Sequence, residues 1–170
     1  VTGPVETHDR RVEELLGDLL RRGKMTIATA ESCTGGMIAA LITSVPGSSD
    51  YFREGVVAYA NDAKIRLLGV PPDTLERHGA VSRETAAAMA EGLLYRSGAD
   101  IALATTGIAG PGGGTPSKPV GTVYISLADR EGTIVTECHF TGTRAEIRQE
   151  TASRALDLAC RRISERRTHR

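Results

Sequence analysis

The sequence predicts an α/β protein, a three-layer α/β/α sandwich around a mixed sheet of about five strands. Three observations predict it. Helical and strand-like segments alternate through the first hundred residues, as crossover connections between parallel strands require. Two further strand-like segments then meet across Arg130-Glu131-Gly132, the pattern of a hairpin, so part of the sheet is antiparallel. The chain has 170 residues, 40% of them hydrophobic and 25% charged, which suits one globular domain with a sizeable core.

The elements follow in order. Residues 1–9 (VTGPVETHD) have turn-like composition, so 1–10 is expected to be a flexible leader, 11–165 a single domain and 166–170 a tail. Residues 11–22 place Val12, Leu15, Leu16, Leu19 and Leu20 on one helical face, and Gly23 is expected to stop that helix. MTIATA (25–30) reads as a buried strand. A helical pattern from Gly35 to about Val45 follows, with Ser32 or Thr34 as its cap. Pro46 to Ser49 reads as a loop and GVVAYA (55–60) as the second strand. Asn61 suits the cap of a short helix, DAKIRLL, ended by Gly69 and the Pro71-Pro72 pair. Ser82 opens a long helix closed near Gly98, and DIALATT (100–106) is the third strand. After a glycine-rich loop come the hairpin strands YISLAD and TIVTECHF. Thr143 and Glu146 have capping-box spacing at the start of the last helix.

Composition excludes several function classes. Formal net charge is zero, so no broad attraction to nucleic acid or membrane is expected. Two Phe, four Tyr and no Trp leave little material for a base-stacking platform. Three widely spaced cysteines form no ligand cluster, so no metal site and no disulfide framework is expected. No apolar run approaches the roughly 20 residues that span a bilayer, and the N-terminus lacks a signal-peptide core. A cytoplasmic protein is the expectation.

In a sheet of this kind, function sits where loops converge at strand ends. Three loops stand out. Glu31-Ser32-Cys33-Thr34-Gly35-Gly36 joins a strand to a helix. It fits a helix cap with a glycine hinge, and also a nucleophile beside unpaired N–H groups that act as an oxyanion hole. Ser32 and Cys33 are rival nucleophiles, since a thiol at a helix start can have a lowered pKa. None of His8, His78, His139 and His169 is an obvious base for it. In Tyr59-Ala60-Asn61-Asp62-Ala63-Lys64, a strand-end phenol neighbours a lysine in the first turn of a helix. Burial that lowers the lysine pKa would let the two exchange protons; otherwise they are a core tyrosine and a solvated lysine. The third loop, from Thr106, Gly107 and Gly110 to Gly114, follows a strand and has neither a Walker nor a Rossmann pattern. It offers backbone N–H groups to an anion, or is a surface loop. Arg144 and Arg148 lie one helical turn apart and are placed to face one anion, with Lys118 a weaker candidate.

Five blocks in order (TAESCTGG, SSDYF-REGVVAYANDAKIRLLGV, HGAVS, TTGIAGPGGGTPSKPVGTVYIS and FTGTRAEIR) resemble the CinA C-terminal domain family, over residues 11 to 163. That family contains nicotinamide-nucleotide amidohydrolases. The resemblance implies hydrolysis of nicotinamide mononucleotide to nicotinate mononucleotide and ammonia, with no essential cofactor. It implies a small-molecule nucleotide partner, no direct nucleic-acid or membrane partner, and a homo-oligomer. It further implies Ser32 as nucleophile with Tyr59 and Lys64 assisting. Thr34, Gly35, Gly36, Thr106, Gly107, Gly110, Arg144 and Arg148 are the expected substrate-binding residues. Glu31 is expected either to orient Lys64 or to bond the helix start. The larger family proteins also carry an N-terminal pyrophosphatase-like domain.

Two other readings compete. Short-chain dehydrogenases also use Ser, Tyr and Lys, but with lysine four residues after tyrosine on one helix; here the spacing is five and crosses a strand–helix boundary. A catalytically silent nucleotide binder, or an adaptor in competence or DNA damage, is the main alternative to an enzyme.

Overall fold

Large and small residues alternate along the central strands, and this alternation decides which helices lie on which face. A computed structural model describes residues 11–168; the expected leader, 1–10, lies outside the described residues. The strands are β1 (Ile27–Glu31), β2 (Phe52–Val57), β3 (Ile101–Gly107), β4 (Thr122–Asp129) and β5 (Gly132–His139). The helices are α1 (Val12–Gly23), α2 (Met37–Thr43), α3 (Asn61–Leu68), α4 (Pro72–His78), α5 (Arg83–Ser97) and α6 (Arg144–Thr168). The five strands form one sheet in the order β2-β1-β3-β4-β5. β1 is parallel to both β2 and β3, whereas β4 runs antiparallel to β3 and β5. The mixed sandwich is therefore as expected.

On one face Ile27, Ile101, Leu103, Val123, Ile125 and Leu127 pack against α1, α2 and α6, with Leu16, Leu20, Ile38, Ile147 and Leu156 buried in the same cluster. On the other face the strands present Ala28, Ala30, Ala102, Ala104 and Ala128, against Leu68 of α3 and Met89, Ala90 and Leu93 of α5. Alanines let that helical layer lie close to the sheet. Gly92 of α5 also lets α3 approach: a Cβ there would stand 1.7 Å from the Leu68 carbonyl oxygen. Among the described residues no helix is long and apolar enough to cross a membrane.

Most element ends match the expected chemistry. Ser82 Oγ accepts from Thr85 N at 3.1 Å, and Gly98 takes a left-handed conformation at the end of α5. At α6 the Thr143 N–H donates to Glu146 Oε2 at 2.7 Å, and Glu146 N donates to Thr143 Oγ1 at 3.3 Å. In the hairpin Asp129 pairs with Gly132.

Four expectations need correction. Lys24, not Gly23, carries the left-handed φ of 50° that ends α1, its N–H reaching the Leu20 and Arg21 carbonyls. β2 spans Phe52–Val57 rather than 55–60, because as the edge strand it pairs with β1 alone, from Phe52 opposite Ile27 to Val57 opposite Glu31. Asn61 is the first residue of α3 and not its cap; Ala60 precedes it. Pro71-Pro72 is also more than a stop signal. Pro72 opens α4, because a first-turn proline lacks only an N–H that has no intrahelical partner. His78 consequently ends a helix.

The expected boundary at 165 falls inside α6. Arg162 donates to both Asp129 oxygens at 2.7 and 3.1 Å, and Arg166 lies 2.9 Å from Asp129 and 3.1 Å from Glu131. Burial alone would raise the Asp129 pKa, but the bonds from Arg162 and the Glu131 N–H, with the charge of Arg166, outweigh it and hold the carboxyl below its ordinary value. A depressed folded-state pKa gives stability that is complete above the unfolded value, about 4, and is lost as pH falls through the folded one. Asp129→Asn should cost about 2–3 kcal/mol in urea unfolding at pH 7. The difference from wild type should shrink below pH 4, as the wild-type carboxylate is protonated.

Candidate active site

The parallel strands β1, β2 and β3 end on the same side of the sheet. β1 lies between the other two: the first crossover runs from β1 to β2 on one side, and the next returns from β2 past β1 to β3 on the other, so the strand order reverses beside β1 and a crevice opens there. Glu31, the last residue of β1, is 1% exposed. Its carboxylate accepts N–H bonds from Gly36 at 3.0 Å, Ile38 at 3.0 Å and Ala39 at 2.8 Å. Glu31 therefore caps α2, and neither Ser32 nor Thr34 does. The Thr34 hydroxyl instead bonds that of Thr105 at 2.8 Å. Gly35 and Gly36 take φ of 59° and 97°, which lets the chain turn sharply from strand to helix.

This turn sets Ser32, only 9% exposed, in the wall of a cleft. Its N–H extends the sheet by bonding the Thr105 carbonyl at 3.0 Å, and its carbonyl accepts from Gly35 N at 3.1 Å. Its Oγ lies 3.1 Å from Lys64 Nζ. Lys64 is 1% exposed, and Nζ also reaches the carbonyl oxygens of Ala58 and Tyr59, each at 3.0 Å. Burial lowers its pKa. The alternative of a solvated Lys64 is thereby overturned.

Cys33 is buried, and burial pushes its thiol pKa up to about 12. The rival thiolate nucleophile is thus disfavoured, since desolvation outweighs any help from the helix start. Gly35 and Gly36 donate their N–H groups to Ser32 and Glu31, which removes them from an oxyanion hole. Among the described residues, no acceptor in another residue bonds the N–H of Cys33 or Thr34.

Tyr59 meets Lys64 only through its backbone carbonyl. Its side chain is turned outward, the residue 58% exposed, and the phenol oxygen accepts from Arg144 Nη2 at 2.9 Å. Arg144 Nη1 donates to the Gly110 carbonyl at 2.7 Å, so that glycine contributes an acceptor. Arg148 does not share a position with Arg144. It braces the nucleophile loop by donating to the carbonyls of Cys33 at 3.2 Å and Thr34 at 2.9 Å. Lys118 donates to the His78 carbonyl at 3.0 Å. Thr106 Oγ1 donates to the Ala80 carbonyl at 2.7 Å, tying the β3 end to the α4–α5 loop.

Ser32, Tyr59, Lys64, Thr106, Gly107 and Arg144 line one cleft of about 210 Å³. Thr34, Gly35, Gly36, Gly110 and Arg148 are not among the residues that line it. Asn61, Ala80 and Val81 also line it and were missed as site residues. Asn61 had been given a capping role; Ala80 and Val81 sit in HGAVS, whose only sequence signal was the resemblance. A larger cavity of about 370 Å³ opens at the other end of the sheet, beside Lys24, Asp100 and Arg130, and brings no nucleophile to a base. Among the described residues no cluster of three His, Cys, Asp or Glu side chains is placed to hold a metal ion.

The family model for the CinA C-terminal domain matches residues 9–163. The chain belongs to that family. A CinA-like protein of Geobacter metallireducens is 54% identical over 96% of this chain and 38% of its own length. A putative competence-damage inducible protein of Acetivibrio thermocellus is 50% identical over 92% of this chain and 38% of its own. The chain thus spans little more than a third of these curated relatives. Among solved structures, the competence/damage inducible protein CihA of Agrobacterium tumefaciens is 44% identical, with a TM-score of 0.84 over 91% of this chain and 96% of that one. A CinA superfamily protein of Klebsiella pneumoniae is 31% identical, with a TM-score of 0.86 over 92% and 99%. The three-layer mixed fold is the CinA fold.

Glu31→Ala leaves three N–H groups at the start of α2 without their acceptor. It should lower unfolding stability by about 3 kcal/mol in a urea titration, and Glu31→Gln, which keeps the shape, by less.

Proposed function

We propose that this CinA domain hydrolyses the carboxamide of nicotinamide mononucleotide, giving nicotinate mononucleotide and ammonia. The observation that carries the reading is the 3.1 Å contact between Lys64 Nζ and Ser32 Oγ, with both remaining directions on Nζ taken by carbonyls. A neutral amine has two N–H bonds and one lone pair. The Ala58 and Tyr59 carbonyls engage the N–H bonds, so the lone pair faces the serine hydroxyl. Desolvation makes the neutral form accessible.

The reaction then runs in two steps. Ser32 Oγ attacks the carboxamide carbon while Lys64 accepts the hydroxyl proton. The N–H groups of Cys33 and Thr34 are the donors available to the oxyanion. Lys64 returns the proton to the departing nitrogen, and the C–N bond breaks to release ammonia and leave an ester on Ser32. Water attacks that ester with Lys64 again as base, and the nicotinate carboxylate leaves as Ser32 regains its proton. Arg144, Thr106 and Gly107 serve to hold the nucleotide. Tyr59 lines the cleft, and with its phenol bonded to Arg144 it is not the relay to Lys64.

Ser32→Ala should lower ammonia release from the mononucleotide by at least about a thousandfold. Its fold is checked by circular dichroism, and its affinity by a thermal-shift titration. Full activity in the folded variant overturns the serine mechanism. Cys33→Ala should retain most activity. Wild-type binding without turnover would favour the silent nucleotide binder.

The pH profile is a separate check. Lys64 acts as a base whose pKa is lowered, so kcat/KM should rise with pH through that pKa. It should reach its plateau below pH 10.5, the ordinary lysine value.

A further inference from the structure

We infer that Arg144 and Tyr59 form a dianion-triggered positioning device, in which a phosphate bound at Arg144 releases the Tyr59 phenol into the cleft beside Ser32. The inference rests on the amidase reading and adds to it that the phosphate is used in turnover as well as affinity.

Four observations lead to it. Arg144 opens α6 and lines the cleft, at a helix end that favours an anion over a cation. Among the described residues its side chain donates to two uncharged groups, the Gly110 carbonyl and the Tyr59 phenol. Among the described residues no carboxylate lies in an ion pair with it. The Tyr59 backbone is pinned through its carbonyl to Lys64 Nζ, while among the described residues the one hydrogen bond of its exposed side chain is to that arginine.

A phosphate dianion makes charge-assisted bonds to a guanidinium about twice as strong as those of neutral oxygens. In the proposed device the phosphate takes the Nη2 donor that the phenol now occupies. With its carbonyl held by Lys64, Tyr59 responds in this device by rotating its side chain toward the cleft it already lines. There it can bond the developing oxyanion or the departing nitrogen. Binding energy from the remote phosphate is thus converted into transition-state stabilisation.

The test separates the two parts of the substrate. Nicotinamide riboside lacks the phosphate, and inorganic phosphite supplies a dianion in its place. Saturating phosphite should raise wild-type riboside turnover by about tenfold, within the usual range for coupled sites. Arg144→Met and Tyr59→Phe should each abolish that activation. With the mononucleotide, Arg144→Met should lower kcat as well as raise KM. Arg144→Lys keeps the charge at a single point, and should restore affinity more than kcat if the methionine variant folds poorly. The inference is overturned if wild type hydrolyses the mononucleotide but phosphite leaves riboside turnover unchanged. It is also overturned if Arg144→Met changes KM alone. If wild type hydrolyses neither substrate, the amidase reading itself fails and this inference falls with it.

Discussion

The carboxylate of Glu31 holds three backbone N–H groups while almost wholly removed from water, and the β1–α2 junction is arranged around it. A buried carboxylate is costly unless its oxygens are bonded. Here the bonds come from the first turn of α2 and the glycine before it. The acid on the last position of a strand is thereby locked to the helix that follows, and Ser32, the next residue, has little freedom left. Arg148 reinforces the same loop from α6 by gripping the Cys33 and Thr34 carbonyls. The serine is positioned by groups that do not touch the cleft.

The lysine opposite is positioned by packing. Alanines on one face of the sheet and Gly92 on α5 let α3 settle deeply, with Leu68 buried and Lys64 one turn before it. An amine in that place is desolvated by construction. The two carbonyls that receive it follow the end of β2, where the chain has left the sheet and its backbone oxygens are available. Strand, loop and helix thus each supply one part of the Ser32–Lys64 contact, and no local segment contains it.

That division explains what the sequence showed and what it did not. Helix caps such as Ser82 and the Thr143–Glu146 box depend on neighbours within four residues, so they were legible. The hairpin was legible for the same reason. Glu31 was not assigned, because its partners lie five to eight residues on and depend on two glycines with positive φ. The burial of Lys64 was invisible locally, since its segment reads as an ordinary amphipathic helix. Tyr59 and Arg144 are 85 residues apart, and only the fold brings them together. The one-turn spacing of Arg144 and Arg148 suggested one shared anion. Their places on α6 separate them, one facing the cleft and the other the loop behind Ser32. Short-range chemistry was readable, whereas contacts made across the sheet came only through family resemblance or the structure.

α6 has a further consequence. It is one unbroken helix of 25 residues, about 37 Å long, with Arg144 at the cleft and Arg162 and Arg166 at the hairpin. A helix turns by roughly 100° per residue. One residue inserted or deleted near its middle would swing one set of arginines away from its partners, whatever residue was used. The exposed face of α6 is therefore free to vary in composition, while its length is fixed. Drift in this segment should appear as substitution and almost never as a gap.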